Sequence, residues 1–146
     1  MNLELSVNTV NIIKESAQLV TANALSITEN LYQIVFSKHP DISTFFDDAP
    51  TNQSSLLAEA ISAYAVNIDN LMMLTPALEI IAQTHVRRNI QDTHYIIIGM
   101  AFIESLEVTL KEQATLEFLN AWREAYIYLS QILILMEKNI RLGETG

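Results

Sequence analysis

Apolar residues recur at spacings of three and four through most of the chain, which is the period of a helix face; no strand-like alternation is sustained anywhere. Ser6 or Asn8 can cap a first helix that carries Val10, Ile13, Ala17 and Val20 on one face. A second helix is predicted from about Ala22 to Ser37, with an apolar stripe of Leu25, Ile27, Leu31, Ile34, Val35 and Phe36. Tyr32 lies beside that stripe, either facing inward or at its margin. Pro40 ends the second helix and starts a short helical turn, PDISTFF. Pro50 falls in the loop DDAPTNQ, ahead of a third long helix from about Thr51 or Asn52 to Ile68. Pro76 sits at the first position of the next helix, with Thr75 as its cap and Glu79 shortly after, and this helix runs to about His85. After a break at Asn89 to Asp92, Asp92 or Thr93 can cap a helix that continues through Lys111. The last helix is predicted from near Ala114 to about Arg141, before a tail, GETG. The run Ile96-Ile97-Ile98 has β propensity but lies inside a helix-length segment. The pattern is all-α, with about six long helices plus short ones.

The stretch from Leu78 to Tyr95 holds the first chemical candidate. An apolar stripe (Leu78, Ile81, Ala82) runs into His85, and a second helix then opens on His94-Tyr95. A histidine at the end of an apolar face is either hydrogen-bonded to its surroundings or an axial ligand to a metal in an apolar pocket. His39, before a proline in a turn, reads as a surface residue. The stripe of the last helix runs Trp122, Ala125, Tyr126, Leu129, Leu133, Met136 and Ile140, and Glu137 falls on its apolar side. A carboxylate there either faces water on a frayed helix end or is buried and paired. If buried, it could accept the second ring N–H of a metal-ligating histidine. Phe45-Phe46, Gln53 and Leu57 form a third group. They fit plain core with a solvated glutamine, or a small-ligand pocket with one orienting amide.

Composition narrows the classes. The chain has 146 residues, enough to bury a core, and reads as one domain, 1–146. It contains no cysteine, so thiolate catalysis, iron–sulfur clusters, cysteine-ligated zinc and covalent c-type haem attachment are excluded. The formal charge of −9 disfavours nucleic acid. No apolar run reads as long enough to span a bilayer and no signal peptide opens the chain, so a cytoplasmic location without membrane insertion is expected. Gly-rich phosphate loops, G-x-S-x-G, H-E-x-x-H and paired Glu-x-x-His motifs are missing. The Arg87-Arg88 pair reads as solvated charge, or alternatively as a contact for the carboxylates of a bound cofactor.

Short connections suit an antiparallel bundle or a globin-like arrangement, and the helix count with the PDISTFF turn favours the second. Read in order, LYQIVFSKHPDI, FFDD, NIDNL, the segment H-x8-HY-x3-G (His85, His94, Tyr95, Gly99), AWREAY and MEKNI resemble the bacterial single-domain haemoglobins of the Vitreoscilla type and the globin domain of flavohaemoglobins. The resemblance spans almost the whole chain, from VNIIKES to MEKNI. It implies a globin fold of six to eight helices enclosing a haem pocket. It implies haem b (Fe-protoporphyrin IX) as cofactor, with His85 as the proximal iron ligand and Tyr95 and Glu137 in the network behind that imidazole. Phe46 would pack on the porphyrin, with Leu57 and Ile98 also lining the haem. Tyr32, Gln53 and Leu57 would face the bound gas, and Trp122 would be structural. The chain departs from the family in having Ile96 where proline usually follows the HY pair, and Thr84 where lysine often precedes the proximal histidine. The stretch between Phe46 and Gln53 is also shortened, which leaves open whether Gln53 points into the pocket.

The resemblance implies reversible binding of O2, for delivery or storage, with NO and CO as further ligands. The alternative it implies is a nitric oxide dioxygenase. Because the sequence ends at Gly146 without a flavin or nicotinamide domain, that activity is expected to need a separate flavin reductase. A haem-based sensor would need an output domain, and a haem-free stress-sensor role is at odds with His85 and the Tyr32/Gln53 set. A monomer or a homodimer fits equally.

Overall fold

The computed structural model describes residues 5–46 and 53–145, leaving out the side chains of Phe46, Glu144 and Thr145. Among the described residues there are five α-helices and three short 3-10 turns. They run α1 (Val7–Lys38), a turn Pro40–Phe46, α2 (Gln53–Val66), a turn Leu71–Leu74, α3 (Thr75–Arg87), α4 (Asp92–Leu110), a turn Lys111–Gln113 and α5 (Leu116–Thr145). The predicted start of the third helix at Thr51 or Asn52, and the loop around Pro50, lie outside the described residues.

The first two predicted helices are one. The polar residues that resemble a break are satisfied inside the helix: Thr21 Oγ1 donates to the Gln18 carbonyl at 3.0 Å and Asn23 Nδ2 to the Leu19 carbonyl at 2.9 Å. With no proline or glycine between them, nothing interrupts the backbone ladder. Ser6, rather than Asn8, is the cap, its Oγ accepting from the Thr9 N–H at 3.1 Å. Glu124 of α5 adds a carboxylate to this helix start, accepting from the Ser6 N–H at 3.2 Å, from Ser6 Oγ at 3.4 Å and from Thr9 Oγ1. Negative charge at an N-terminus complements the helix dipole, so one side chain both caps α1 and ties it to α5. His39 is half-buried rather than on the surface, and its N–H closes α1 on the Val35 carbonyl at 2.7 Å.

Two other caps differ from expectation. Leu74, not Thr75, precedes α3, because the turn Leu71–Leu74 runs straight into the helix and the Thr75 N–H is already paired with the Met72 carbonyl. Gln91, not Asp92 or Thr93, precedes α4, and its N–H donates to His94 Nδ1 at 2.9 Å. A histidine ring here takes the part that glutamate plays in a capping box. At the far end, α5 continues through Gly143 to Thr145, past the predicted end at Arg141.

The main core is shared by α1, α2, α4 and α5. It contains Ile13, Val20, Ile27, Leu31 and Val35, Tyr64 and Ala65, Phe102 and Leu106, and Phe118, Trp122 and Ala125. Leu25, predicted on the inner stripe, is instead exposed. Trp122 is buried with its ring edge-on to Phe102 at 5.7 Å, in keeping with the structural role expected of it. Tyr64 pins α2 to α5 by donating to the Ala125 carbonyl at 2.7 Å. A smaller cluster of Leu78, Ala82, Tyr95 and Leu133 joins α3, α4 and α5. Contrary to the sequence expectation, Asp92–Gln113 is long and apolar enough to cross a membrane by length and composition; 44% of its most apolar window is buried inside the fold.

α4 and α5 approach closely at Gly99. A Cβ added there would lie 2.5 Å from Tyr126 Cε2. Tyr126 cannot swing aside freely, because its hydroxyl donates to the Tyr95 carbonyl at 2.6 Å. We therefore expect Gly99→Ala to destabilise the protein by about 1–3 kcal/mol, the usual effect of overpacking. Urea denaturation of the variant against the parent measures this, and an unchanged midpoint would show that the helices have room to separate.

Candidate functional site

His85 lies in the last turn of α3. The chain leaves the helix at Asn89, which adopts the left-handed conformation (φ 59°) that asparagine tolerates better than most residues. This reversal lets the Ile90 N–H return to the His85 carbonyl at 2.9 Å. Arg141, one turn beyond Glu137 on α5, donates to the Ile90 carbonyl at 2.7 Å and holds the corner from outside. Nothing in the apolar pattern singles out Arg141; its spacing of four from Glu137 is the only sequence clue.

Behind the imidazole stand Tyr95, from the first turn of α4, and Glu137 of α5. Glu137 is 1% exposed, so the reading of a frayed, solvated end fails: α5 continues eight residues beyond it. Tyr95 donates its hydroxyl hydrogen to Glu137 Oε2 at 2.5 Å. His85 Nδ1 lies 2.9 Å from the Tyr95 oxygen and 3.0 Å from the same Glu137 oxygen. Tyr95 has committed its hydrogen to the carboxylate, so both neighbours present only lone pairs to the ring. Nδ1 must therefore carry the hydrogen. The other nitrogen, Nε2, is left with its lone pair, and among the described residues no hydrogen-bond partner takes it. Burial first, and the carboxylate second, push the Tyr95 hydroxyl well above the ordinary tyrosine pKa, so it stays a donor at all relevant pH. Glu137 Oε1 is buried and has no partner among the described residues.

A second group lies between α1 and α2. Tyr32 is buried at 8% exposure, which settles its orientation inward. Gln53, the first residue of α2, donates from Nε2 to the Tyr32 hydroxyl at 3.3 Å. Burial raises the Tyr32 pKa, while the Gln53 hydrogen bond and the charge of Arg88 pull it partly back. Leu57 and Ile98 are half-buried and pack against the main core. Phe46 closes the turn Pro40–Phe46, but its side chain lies outside the described residues.

Arg88 links the two groups, and it is not the solvated charge expected of the arginine pair. It donates from Nη1 to the Phe45 carbonyl at 3.1 Å, and its charge is felt at Tyr32. Phe45 also meets the His94 ring edge-on at 4.6 Å. The α3–α4 corner is thereby fastened to the turn Pro40–Phe46. Arg87 remains exposed, its side chain donating to Thr84 Oγ1 at 3.3 Å.

Among the described residues no group of three or more His, Cys, Asp or Glu side chains could hold a metal ion. A metal at His85 would have one protein nitrogen and must bring its remaining ligands with it. The fixed Nδ1–H tautomer, and a side chain 29% exposed, fit an iron already held in a macrocycle.

The chain is 38% identical over 136 residues to a globin-like protein of Aquifex aeolicus, covering 93% of this chain and 96% of that one. It is 40% identical over 133 residues to a flavohemoprotein of Rhodopirellula baltica, covering 89% of this chain and 33% of the relative. The chain thus spans about a third of the length of the flavohemoproteins it matches. Among solved structures, an engineered carbene transferase built on a candidate nitric oxide dioxygenase from Rhodothermus marinus superposes with a TM-score of 0.94 at 26% identity, covering 98% of this chain and 100% of that one. A bacterial globin from Campylobacter jejuni superposes with a TM-score of 0.86 at 27% identity, covering 93% of this chain and 99% of that one. The globin family profile matches residues 29–133, and with the helical architecture and these relatives it establishes that the chain has the globin fold and belongs to the globin family.

Proposed function

We propose that this globin carries haem b and binds O2 reversibly, with His85 Nε2 as the protein atom that would hold the iron. The observation that carries the reading is the pair of acceptors at His85 Nδ1, which leaves Nε2 as a lone-pair donor. Haem, when bound, would supply an iron that binds this nitrogen and a diatomic gas such as O2, NO or CO. Tyr32 and Gln53 serve the gas side. Accepting from Gln53 polarises the Tyr32 hydroxyl as a donor, and the two groups together present donors to a ligand that gains partial negative charge. Leu57 and Ile98 supply apolar contact to the macrocycle.

The second reading is nitric oxide dioxygenation, in which O2, NO and one electron give nitrate. It is favoured by the buried carboxylate behind His85, since an imidazole that donates to a carboxylate is a stronger electron donor to its metal. The Rhodothermus relative is described as a candidate for that activity, and flavohemoproteins recur among the relatives. Turnover would require an electron from a reductase.

Three measurements check these proposals. Titration of the haem-free protein with haem should give a Soret band that shifts on reduction and CO addition, and His85→Ala should abolish that histidine-ligated spectrum; an unchanged spectrum in the variant would remove His85 from the iron. Tyr32→Phe should raise the O2 dissociation rate about tenfold or more, because a charge-assisted donor contributes roughly 1.5–3 kcal/mol. An unaltered rate would exclude Tyr32 from the gas side. Mixing NO with the O2-loaded protein should give rapid, stoichiometric nitrate if the dioxygenase reading holds, whereas slow or absent nitrate leaves O2 binding as the function.

A further inference from the structure

Thr28 lies on α1 one helical turn before Tyr32, on the same face. It is fully buried, at 0% exposure, where an aliphatic side chain of the same shape would pack without any polar group to satisfy. Its Oγ1 lies 2.9 Å from the Leu25 carbonyl and 3.0 Å from the Ser54 carbonyl. The first contact is the local bond that any helical threonine can make. The second crosses to the opening turn of α2 and ends on the residue next to Gln53.

α1 therefore grips the start of α2 at two points. The Thr28 hydroxyl, its one hydrogen shared between the Leu25 and Ser54 carbonyls, ties the backbone at Ser54 to α1, and the Tyr32 hydroxyl receives the side chain of Gln53. One main-chain and one side-chain attachment, a turn apart on α1, fix both the position and the rotation of that first turn. The Gln53–Tyr32 bond is long, at 3.3 Å. Hydrogen bonds of that length are lost with a further displacement of a few tenths of an ångström, so this bond depends on what holds the α2 backbone.

We propose that Thr28 is a positioning residue that sets the Gln53 amide against the Tyr32 hydroxyl, and through them the hydrogen bonding offered to a pocket ligand. The ligand part rests on the haem reading above; the Thr28–Gln53 tie does not. The hydroxyl acts only through the α2 backbone and touches no ligand.

The test compares Thr28→Val, which removes the hydroxyl at constant shape, with Thr28→Ser, which keeps it. Thr28→Ala serves as a second hydroxyl-free variant if valine fails to fold. In the haem-loaded, CO-bound ferrous protein, which is diamagnetic, two signals are read: the C–O stretching band and the Gln53 side-chain amide resonance, assigned by its loss in Gln53→Leu. Thr28→Val should move the amide resonance, shift the C–O band in the direction that Gln53→Leu shifts it, and raise the O2 dissociation rate about two- to tenfold, the net effect of one neutral hydrogen bond. Thr28→Ser should restore all three, and Thr28→Val should add nothing in the Gln53→Leu background. A valine variant that melts earlier yet leaves the amide resonance and C–O band in place would reduce Thr28 to packing and overturn the proposal, as would an undiminished effect in the Gln53→Leu background. The amide resonance is also recorded without haem. An absent Soret band would then refute the haem reading, while the amide shift still decides on Thr28.

Discussion

A carboxylate buried to 1% exposure is the constraint to which the rest of this structure answers. Taking such a group out of water is costly unless hydrogen bonds compensate it, and leaving a buried polar group without its partner costs about 1–3 kcal/mol, more when it is charged. Glu137 finds its partners on two other helices: Tyr95 on α4 and His85 on α3. α5 has to run on past residue 137 to keep it buried. Gly99 has to lack a side chain so that Tyr126 can lie against α4 and hold the Tyr95 carbonyl. Arg141 has to reach the Ile90 carbonyl so that the α3–α4 corner stays over the site. These contacts serve one end: three helices are held in register by a charge that none of them could bury alone.

The same constraint fixes chemistry. Tyr95 gives its hydrogen to the carboxylate and so offers His85 only lone pairs. The tautomer of the imidazole follows from that commitment. In the proposed function this is how a structural network becomes a functional one: the group that holds α3, α4 and α5 together also selects which nitrogen faces the iron.

Sequence periodicity reached the helical class and delivered His85 to the end of an apolar face, because both depend on local spacing. It left Glu137 open, since a wheel position near a helix end does not say whether the helix continues; burial depended on eight further residues around Gly143. It split α1 in two because Thr21 and Asn23 resemble a break until their side chains are seen bonding back to the helix. It missed Arg88 for a different reason. An arginine beside another arginine looks solvated, and its acceptor, the Phe45 carbonyl, is 43 residues away with no pattern to mark it. The resemblance to bacterial globins supplied Tyr32 and Gln53 as a pair. Their mutual hydrogen bond is a tertiary fact, and so is the Thr28 contact that stands next to it.

The two sides of the proposed pocket are held in unlike ways. Behind His85, hydrogen bonds of 2.5 and 3.0 Å converge on one buried carboxylate oxygen, and displacement of either donor leaves that buried oxygen short of a partner. Between α1 and α2, a neutral amide meets a neutral hydroxyl at 3.3 Å, and losing that bond costs on the order of 1 kcal/mol. The first arrangement resists change and keeps the donor strength of the imidazole constant. The second is soft enough to be tuned by single substitutions without unfolding the protein. In the proposed function, such a globin can vary how tightly it holds a gas while the side assigned to the iron stays unchanged. Arg88, which reaches from the end of α3 to the Phe45 carbonyl and whose charge acts on Tyr32, ties the rigid side to the soft one.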